Sequence, residues 1–321
     1  MITHLARGCR ANGAVGGDAA RDRLARRKGA GARNPASPAV TGRLVGVGSV
    51  VVDVVATVAE LPPRGGDVWA SRMRMAAGGG FHALAAAARQ GVAVEYAGAH
   101  GTGPFGELAR AALHEVGVAV RLAPRPDADT GVVVVLVDGG GERTFVSGRG
   151  AETTLAPADL ADLGLAADDV VLVSGYGLDD ALAEWVAGLP DTVVVAFDPG
   201  PLVRSEPFAR ARGRLDWISA NAWEAAALTG ASDPVVAAGR LGGRAGAIVR
   251  TGERGCVVAQ AGAEPVVVPA VPVAAVDTTG AGDVHTGVFL AALLRGASPV
   301  QAARDANAVA AGWVAAGSYG G

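Results

Sequence analysis

The densest group of residues that could do chemistry lies near the C-terminus, in the string AVDTTGAGDVHTG at residues 275–287. A strand that ends near Val276, followed by Gly280, Ala281 and Gly282 and then a long helical run, predicts a helix start at these small residues. Such a start leaves backbone N–H groups available, lets a ligand come close and adds the partial positive charge of the helix dipole. The string therefore predicts an anion pocket that needs no lysine.

Asp283 falls in the first turn of this predicted helix, beside the pocket. A carboxylate at that place can accept the proton of a hydroxyl that attacks a bound phosphoryl group. The alternative is an acid that only caps the helix after a glycine-rich turn. The complete D-T-T-G-A-G-D string favours the catalytic interpretation.

The composition excludes several classes of protein. Among 321 residues the only lysine is Lys28, so the body has no P-loop lysine, no lysine for a pyridoxal Schiff base and no protein-kinase lysine. Two cysteines cannot build a disulfide framework, and no unbroken apolar run is long enough for a membrane span. With no secretory signal at the start, these features predict a cytoplasmic protein without a membrane partner.

The charge is unevenly placed along the chain. Residues 1–43 carry nine basic side chains against two aspartates, whereas the formal net charge of the whole chain is −3. The body is therefore acidic, which argues against nucleic acid as a partner. We interpret residues 1–40 as a disordered basic tail, either a non-functional extension or an interaction arm, and residues 41–321 as one domain.

Strands must position the candidate residues, and strands alternate with helices over most of the body. Valine-rich runs such as VVLVSG (170–175) and TVVVAFD (192–198) precede helical runs, which predicts an α/β fold. Its central, mostly parallel sheet carries helices on both faces. Segments at about 61–76 and 121–149 break the alternation, and we expect them to form a small β-sheet lid over the site.

Several motifs in this order resemble the ribokinase-like (PfkB) family of carbohydrate and nucleoside kinases, from about Leu44 to Gly317. The DTTGAGD string is the most specific of them. The resemblance implies that Asp283 is the catalytic base and that the backbone of Gly280, Ala281 and Gly282 forms the anion hole for the transferred phosphoryl group. It also implies a ribokinase-like fold.

The resemblance extends to the nucleotide end. NAWE resembles the family's N-x-x-E motif, which implies that Asn221 and Glu224 serve the nucleotide and that Glu224 positions Mg²⁺ through water. Taken alone, the two residues read as a helix cap and a first-turn acid. TGERG implies Gly252 near the ATP phosphates and leaves the role of Arg250 open. Asn307 occupies a position that in the family often faces the adenine base of ATP. The alternative is an asparagine on the surface of a helix.

At the acceptor end, the resemblance implies that Asp53 bonds two hydroxyls of the sugar. The segment AAGGGFHALAAAARQG (76–91) resembles the family's glycine-rich sugar-binding segment and makes Gly79 and Gly80 substrate-binding candidates. His82 occupies the place of the family's asparagine. Its contact with substrate is then changed or lost, or the histidine simply packs at a helix start.

Three further residues complete the sequence-based expectations. Asp277 and Thr279 match positions that in some family members bind a monovalent cation such as K⁺, and Asp198 reads as structural. The whole pattern predicts ATP-dependent phosphorylation of a hydroxyl on a sugar or sugar-like acceptor, with Mg²⁺. The alternatives are an adenosine- or pseudouridine-type nucleoside kinase and a catalytically weak ligand-binding protein. We expect a homodimer joined through the lid.

Overall fold

The computed structural model describes residues 42–200 and 206–317, so the tail expected at 1–40 lies outside the described residues. Within these residues, thirteen strands form one sheet of nine strands and one of four. The strands are β1 Leu44–Val47, β2 Val50–Val58, β3 Ala70–Gly79, β4 Val94–Tyr96, β5 Ala119–Val120, β6 Val132–Val137, β7 Arg143–Ser147, β8 Val170–Ser174, β9 Val194–Asp198, β10 Trp217–Asn221, β11 Gly246–Arg250, β12 Cys256–Gln260 and β13 Val266–Val268.

The nine-stranded sheet has the order β13-β12-β11-β10-β9-β8-β1-β4-β5. Its strands are parallel from β5 to β11, and only β12 and β13 run antiparallel to their neighbours. The strand order reverses between β1 and β8, because the chain builds the sheet outward in one direction from β1 and in the other from β8. In open parallel sheets, ligands bind beside such a reversal at the carboxyl ends of the strands.

Helices cover both faces of this sheet, as the sequence predicted. They are α1 Phe81–Arg89, α2 Pro104–Glu115, α3 Asp180–Ala187, α4 Glu206–Ala211, α5 Ala222–Thr229, α6 Pro234–Leu241, α7 Ala281–Leu294 and α8 Pro299–Ala316. Helices α3 to α6 bury their apolar residues on one face, and α1, α2, α7 and α8 do so on the other. No helix in the described ranges is long and apolar enough to cross a membrane.

The four-stranded sheet, in the order β3-β2-β6-β7, is the lid sheet. The segments expected to form the lid overlap with β3, β6 and β7, whereas β2 lies outside both of them. The sequence indicates a β-rich run over 44–55 that is broken by glycines and has Asp53 at the end of its first strand. In the structure the chain leaves the main sheet after β1, and β2, which carries Asp53, begins at Val50 in the lid sheet. One strand region therefore serves two sheets, and Asp53 lies in the lid sheet.

Strand register divides the lid sheet into two faces. Thr57 pairs with Arg72 and Val137, and Val137 pairs with Arg143. The next row on this face joins Arg74, Val55, Val135 and Phe145. We call this side, which also carries Asp53, the inner face, because it lines a cavity together with residues of the body. Side chains alternate along a strand, so Met75, Val54, Val134 and Val146 form a row on the opposite, outer face.

Candidate active site

The site begins where strands β9, β10 and β11 end side by side. Asp198 ends β9, Asn221 ends β10 and Arg250 ends β11, and Asn221 pairs directly with Arg250. Asn221 caps α5 by accepting from the backbone N–H of Glu224 at 2.8 Å, and Glu224 accepts from the backbone N–H of Asn221 at 2.8 Å. This reciprocal cap fixes the Glu224 carboxylate at the carboxyl edge of the sheet. The placement of both residues fits the structural alternative and leaves their nucleotide role a prediction.

Arg250 connects the acids of this edge. Its Nη1 donates to Asp198 Oδ2 at 2.9 Å, to Ser219 Oγ at 2.7 Å and to Thr286 Oγ1 at 2.6 Å. Its Nη2 lies 3.7 Å from Glu224 Oε2. Burial acts to lower the pKa of Arg250, but the neighbouring carboxylates outweigh it and raise the pKa. The guanidinium therefore stays charged and holds two carboxylates in place.

The sequence did not predict the roles of two residues in this cluster. Asp198 was expected to be structural, and the role of Arg250 was left open. In the structure, Asp198 and Arg250 form an ion pair although they lie 52 positions apart in the sequence. The only signal in the sequence was that Asp198, like Arg250, ends a strand of the predicted parallel sheet, where functional residues collect.

The anion loop, residues 277–283, enters helix α7 through a left-handed glycine. Gly280 has φ +70°, and a Cβ there would lie 2.7 Å from His82 Cδ2. Trp313 Nε1 donates to the carbonyl oxygen of Thr279 at 2.7 Å, and the His82 ring meets the Trp313 ring edge-on at 5.4 Å. Packing from α1 and α8 thus fixes the turn that aims the first amides of α7.

Asp283 lies in the first turn of α7, as the sequence predicted, and its side chain is partly buried. Burial is the largest cause that raises the pKa of Asp283 to about 7, and Asp198 and Glu224 raise it further against the opposing charge of Arg250. Burial and Asp198 also raise the pKa of Glu224. A carboxyl group with a pKa near neutrality is well matched to accept a proton from an alcohol in an attacking step.

On the acceptor side, Asp53 is buried on the inner face of the lid sheet. Its carboxylate lies against Gly78, where a Cβ would overlap the carboxylate oxygens. Gly79 and Gly80 make the turn from β3 to α1, and the Gly80 N–H donates to the carbonyl oxygen of Ser49 at 2.9 Å. The turn brings the start of α1 close to Asp53, so these glycines stay candidates for substrate contact.

His82 is buried in the first turn of α1. Burial, aided by the charge of Arg89, lowers its pKa to about 4, so the imidazole is neutral near pH 7. Its ring packs against Gly280 and Trp313, which favours the packed-histidine alternative over a direct substrate contact.

Asp277 is neutralised by arginines of the lid sheet. Its Oδ1 accepts from Arg143 Nη2 and from the backbone N–H and hydroxyl of Thr279 at 2.9 and 2.8 Å, and its Oδ2 lies 3.7 Å from Arg74 Nη2. Arg143 also donates to Thr278 Oγ1 at 3.1 Å. Two guanidinium groups already balance the carboxylate, so these residues do not fit a monovalent cation.

Two nucleotide-side candidates remain. Gly252 forms the left-handed turn after β11, with φ +63°. The Asn307 amide nitrogen donates to the carbonyl oxygens of Val268 and Pro269 at 3.1 and 3.0 Å, and its oxygen meets His285 Nε2 at 3.1 Å. Asn307 therefore ties α8 to β13, and contact with a base stays a prediction. Over the described ranges, no group of three or more His, Cys, Asp or Glu side chains is placed to hold a metal ion.

An open parallel sheet with an acid, a paired arginine and a helix start at its carboxyl edge is the arrangement expected of a phosphotransferase site. A family model confirms this class. The chain belongs to the pfkB family of carbohydrate kinases, whose model matches residues 42–318. It is thus a ribokinase-like carbohydrate kinase, an enzyme that uses ATP to phosphorylate an alcohol group.

Curated relatives agree with this assignment. The uncharacterized sugar kinase YegV of Escherichia coli (strain K12) is 32% identical over 282 residues, covering 84% of this chain and 87% of the relative. An ATP-dependent ribose-1-phosphate kinase of Halopiger xanaduensis is 30% identical over 281 residues, covering 84% and 90%.

Solved structures share the fold. Ribokinase of Arabidopsis thaliana, complexed with ribose and ATP, superposes with a TM-score of 0.73 at 27% identity, covering 85% of this chain and 92% of that one. Adenosine kinase of Sinorhizobium meliloti superposes with a TM-score of 0.74 at 26% identity, covering 86% and 94%.

Proposed function

We propose that this kinase transfers the γ-phosphoryl group of ATP to a hydroxyl of a sugar or sugar-like acceptor, with Asp283 as the general base. One observation carries the proposal: Asp283 lies in the first turn of α7, three residues after the left-handed Gly280, with its pKa raised to about 7. The same helix start that would hold the moving phosphoryl group therefore holds the acid that would accept the proton.

The steps follow from the contacts around this turn. Asp53 hydrogen-bonds hydroxyls of the acceptor and orients it toward the anion loop. Asp283 takes the hydroxyl proton as the acceptor oxygen bonds to the γ-phosphorus, while the bond from that phosphorus to ADP breaks. Backbone N–H groups of Gly280, Ala281 and Gly282 offset the negative charge on the transferred group. Positioning and electrostatic stabilisation supply the rate enhancement, and no covalent intermediate with the enzyme is required.

Mg²⁺ fits the donor set at the edge of the sheet. Asp198 and Glu224 offer carboxylate oxygens, the ligands that this ion prefers, within one cluster held by Arg250. Mg²⁺ bound there with ATP would neutralise phosphate charge. Arg250 would hold the two acids apart and keep their orientation before the nucleotide arrives.

A nucleoside is the second candidate acceptor. The inner face of the lid sheet carries Val55, Val135 and Phe145 in one row, and Phe145 is exposed. An apolar row of this kind suits the face of a nucleobase. Among the structural relatives is an adenosine kinase, so the fold accommodates both acceptor types.

A turnover assay tests the proposal. Release of ADP would be measured with Mg·ATP and a panel of ribose, ribose 1-phosphate, fructose, ketodeoxygluconate, adenosine and pseudouridine. We expect one acceptor class to support turnover, and Asp283→Asn to lower kcat by about 10²- to 10⁴-fold while ATP still binds. The exposed Asp162→Asn is the matched control and should retain full activity.

Two results would contradict the mechanism. Full activity of Asp283→Asn would remove Asp283 as the base. Acceptor binding without phosphorylation of any panel member would favour a catalytically weak ligand-binding protein.

We also propose that a second copy of this chain covers the outer face of the lid sheet. Met75 and Val146 on this face are 58% and 62% exposed, and with Val54 and Val134 they form one continuous apolar row. Such a row matches its own copy when two lid sheets pack face to face. Light scattering should give twice the chain mass of 31.7 kDa, and Met75→Lys should halve it. A wild-type monomer at tens of micromolar would contradict the dimer.

A further inference from the structure

The inner face of the lid sheet carries more positive charge than an uncharged sugar requires. A cavity of about 270 Å³ lies between this face and the start of the anion loop. Three arginines line it, Arg72, Arg74 and Arg143, and Asp277 is the one acid among its lining residues. The lining therefore keeps an excess of two positive charges.

Two of the three arginines are held in place before any ligand binds. Arg143 is held by Asp277 and Thr278, and Arg74 approaches the other oxygen of Asp277. Side chains of Arg74 and Arg143 are each 24% exposed, so they still reach the cavity. A cluster that is held in this way loses little conformational entropy when an anion joins it.

The position of this cluster relative to Asp53 points to the acceptor. Asp53, Val55 and Thr57 follow one another on the inner face of β2, and Val55 pairs with Arg74 while Thr57 pairs with Arg72. Arg74 lies on the neighbouring strand opposite Val55, which makes it the diagonal neighbour of Asp53 on the same face of the sheet. Diagonal neighbours of this kind lie about 7–8 Å apart. A monosaccharide whose hydroxyls contact Asp53 would place a further substituent beside the arginines.

We propose that the acceptor is a phosphorylated monosaccharide whose phosphomonoester binds Arg72, Arg74 and Arg143. This inference rests on the proposed function and specifies its substrate class. Phosphomonoesters carry close to two negative charges at neutral pH, which matches the excess on the cavity wall, whereas a carboxylate supplies one. Planar guanidinium groups also bind phosphate through two parallel hydrogen bonds.

Titration calorimetry with paired ligands tests the proposal without requiring turnover. Ribose would be compared with ribose 1-phosphate, and fructose with fructose 1-phosphate and fructose 6-phosphate. Gluconate supplies the carboxylate comparison. We expect at least one phosphorylated sugar to bind about 10- to 100-fold more tightly than its parent sugar, the range typical of charge-assisted hydrogen bonds.

Arg72→Gln should remove most of that preference and leave the affinity for the parent sugar unchanged. Arg72 is the suitable position because its replacement leaves the contacts of Asp277 with Arg74 and Arg143 in place. Arg64→Gln is the matched control, an exposed arginine of the connection between β2 and β3 that does not line the cavity. It should keep the full preference.

The outcomes separate this inference from the proposed function. Equal or weaker binding of every phosphorylated sugar than of its parent would overturn the inference, as would gluconate binding as tightly as the best phosphate. An intact preference in Arg72→Gln would also overturn it. A clear preference for phosphorylated sugars with no phosphoryl transfer to any of them would instead support the binding site and contradict the proposed function.

Discussion

Asp198→Asn is the change that tests most directly how the cluster tunes the pKa of Asp283, the proposed general base. Asparagine has the same shape as aspartate, and its oxygen can still accept from Arg250, now 2.9 Å from Asp198 Oδ2. The change removes one negative charge beside Asp283 and also one of the two carboxylates proposed to bind Mg²⁺, so the plateau activity is expected to fall as well. Asp198 is the largest of the charges that raise the pKa of Asp283, so its loss should lower that pKa.

The size of the effect follows from the causes of the shift. The pKa of Asp283 is raised from 3.8 to about 7, and burial is the largest cause. Removing a like charge beside a carboxyl group lowers the pKa of that group by about 1, which sets the expected scale for Asp198→Asn. The acid limb of kcat/KM should move from a midpoint near pH 7 to one near pH 6. At pH 6 the wild type should retain about a tenth of its plateau activity and the variant about half of its own.

The assay is kcat/KM for the acceptor at saturating Mg·ATP from pH 5 to 9. Midpoints rather than plateaus are compared, because a shift of Arg250 alters the plateau in the variant. Asp191→Asn is the control: Asp191 is an exposed acid bound to Arg244 at 2.7 Å, and its loss should leave the midpoint unchanged. A midpoint for Asp198→Asn that stays near pH 7 or moves upward would refute the electrostatic reasoning.

The raised pKa of Asp283 also has a signature in stability. The folded protein keeps the proton up to about pH 7, whereas the unfolded chain releases it near pH 4. Folding stability from this group is complete below pH 4 and is lost as the pH rises toward 7. Asp283→Asn should therefore raise Tm at pH 8 by about 2–4 °C, and the difference should vanish near pH 4. An equal or lower Tm at pH 8 would contradict the raised pKa.

Two further changes probe the anion loop. Gly280→Ala puts a side chain into a left-handed backbone 2.7 Å from His82, so we expect at least about a tenfold loss of kcat and a lower Tm, whereas Gly312→Ala, with open space in α8, should lower neither. Normal activity of Gly280→Ala would show that the turn is not tightly held. Replacing KCl by choline chloride at constant ionic strength should change kcat by less than about twofold, because arginines already neutralise Asp277. Activation by K⁺ alone would contradict this reading of the ion pairs.

Local patterns in the sequence were enough to predict the α/β architecture. The valine-rich runs at 170–175 and 192–198 contain the buried parallel strands β8 and β9, as their pattern predicts. Helix α6 and strands β12 and β13 are not predicted by the sequence pattern, because a short apolar helix and short strands near the edge of a sheet show little periodicity.

The division of residues 44–58 between two sheets could not be read from the sequence. Both strands are rich in valine, and only Gly48 and Ser49 separate them. Which sheet a strand joins is decided by distant partners: β1 pairs with β4 and β8, whereas β2 pairs with β3 and β6. Strand propensity reports the tendency to be extended and contains no information about the partner.

The same limit applies to the site. The DTTGAGD string is local, so it was enough to predict the helix start at Gly280 and the place of Asp283 in the first turn. Arg143 meets Asp277 across 134 positions, and Arg250 meets Asp198 across 52. These pairs balance the charge of Asp277 and of Asp198, and neither is encoded in spacing along the chain.

The anion loop is braced from three separate parts of the fold. His82 of α1 packs on Gly280, Trp313 of α8 holds the Thr279 carbonyl, and Arg143 of the lid sheet binds Asp277. Two braces belong to the body, whereas the third comes from the lid sheet. A lid sheet that moved away from the site would therefore remove Arg143 from Asp277. We propose that closure of the lid over a bound acceptor completes the charge balance of the loop, which would favour phosphoryl transfer to an alcohol over transfer to water.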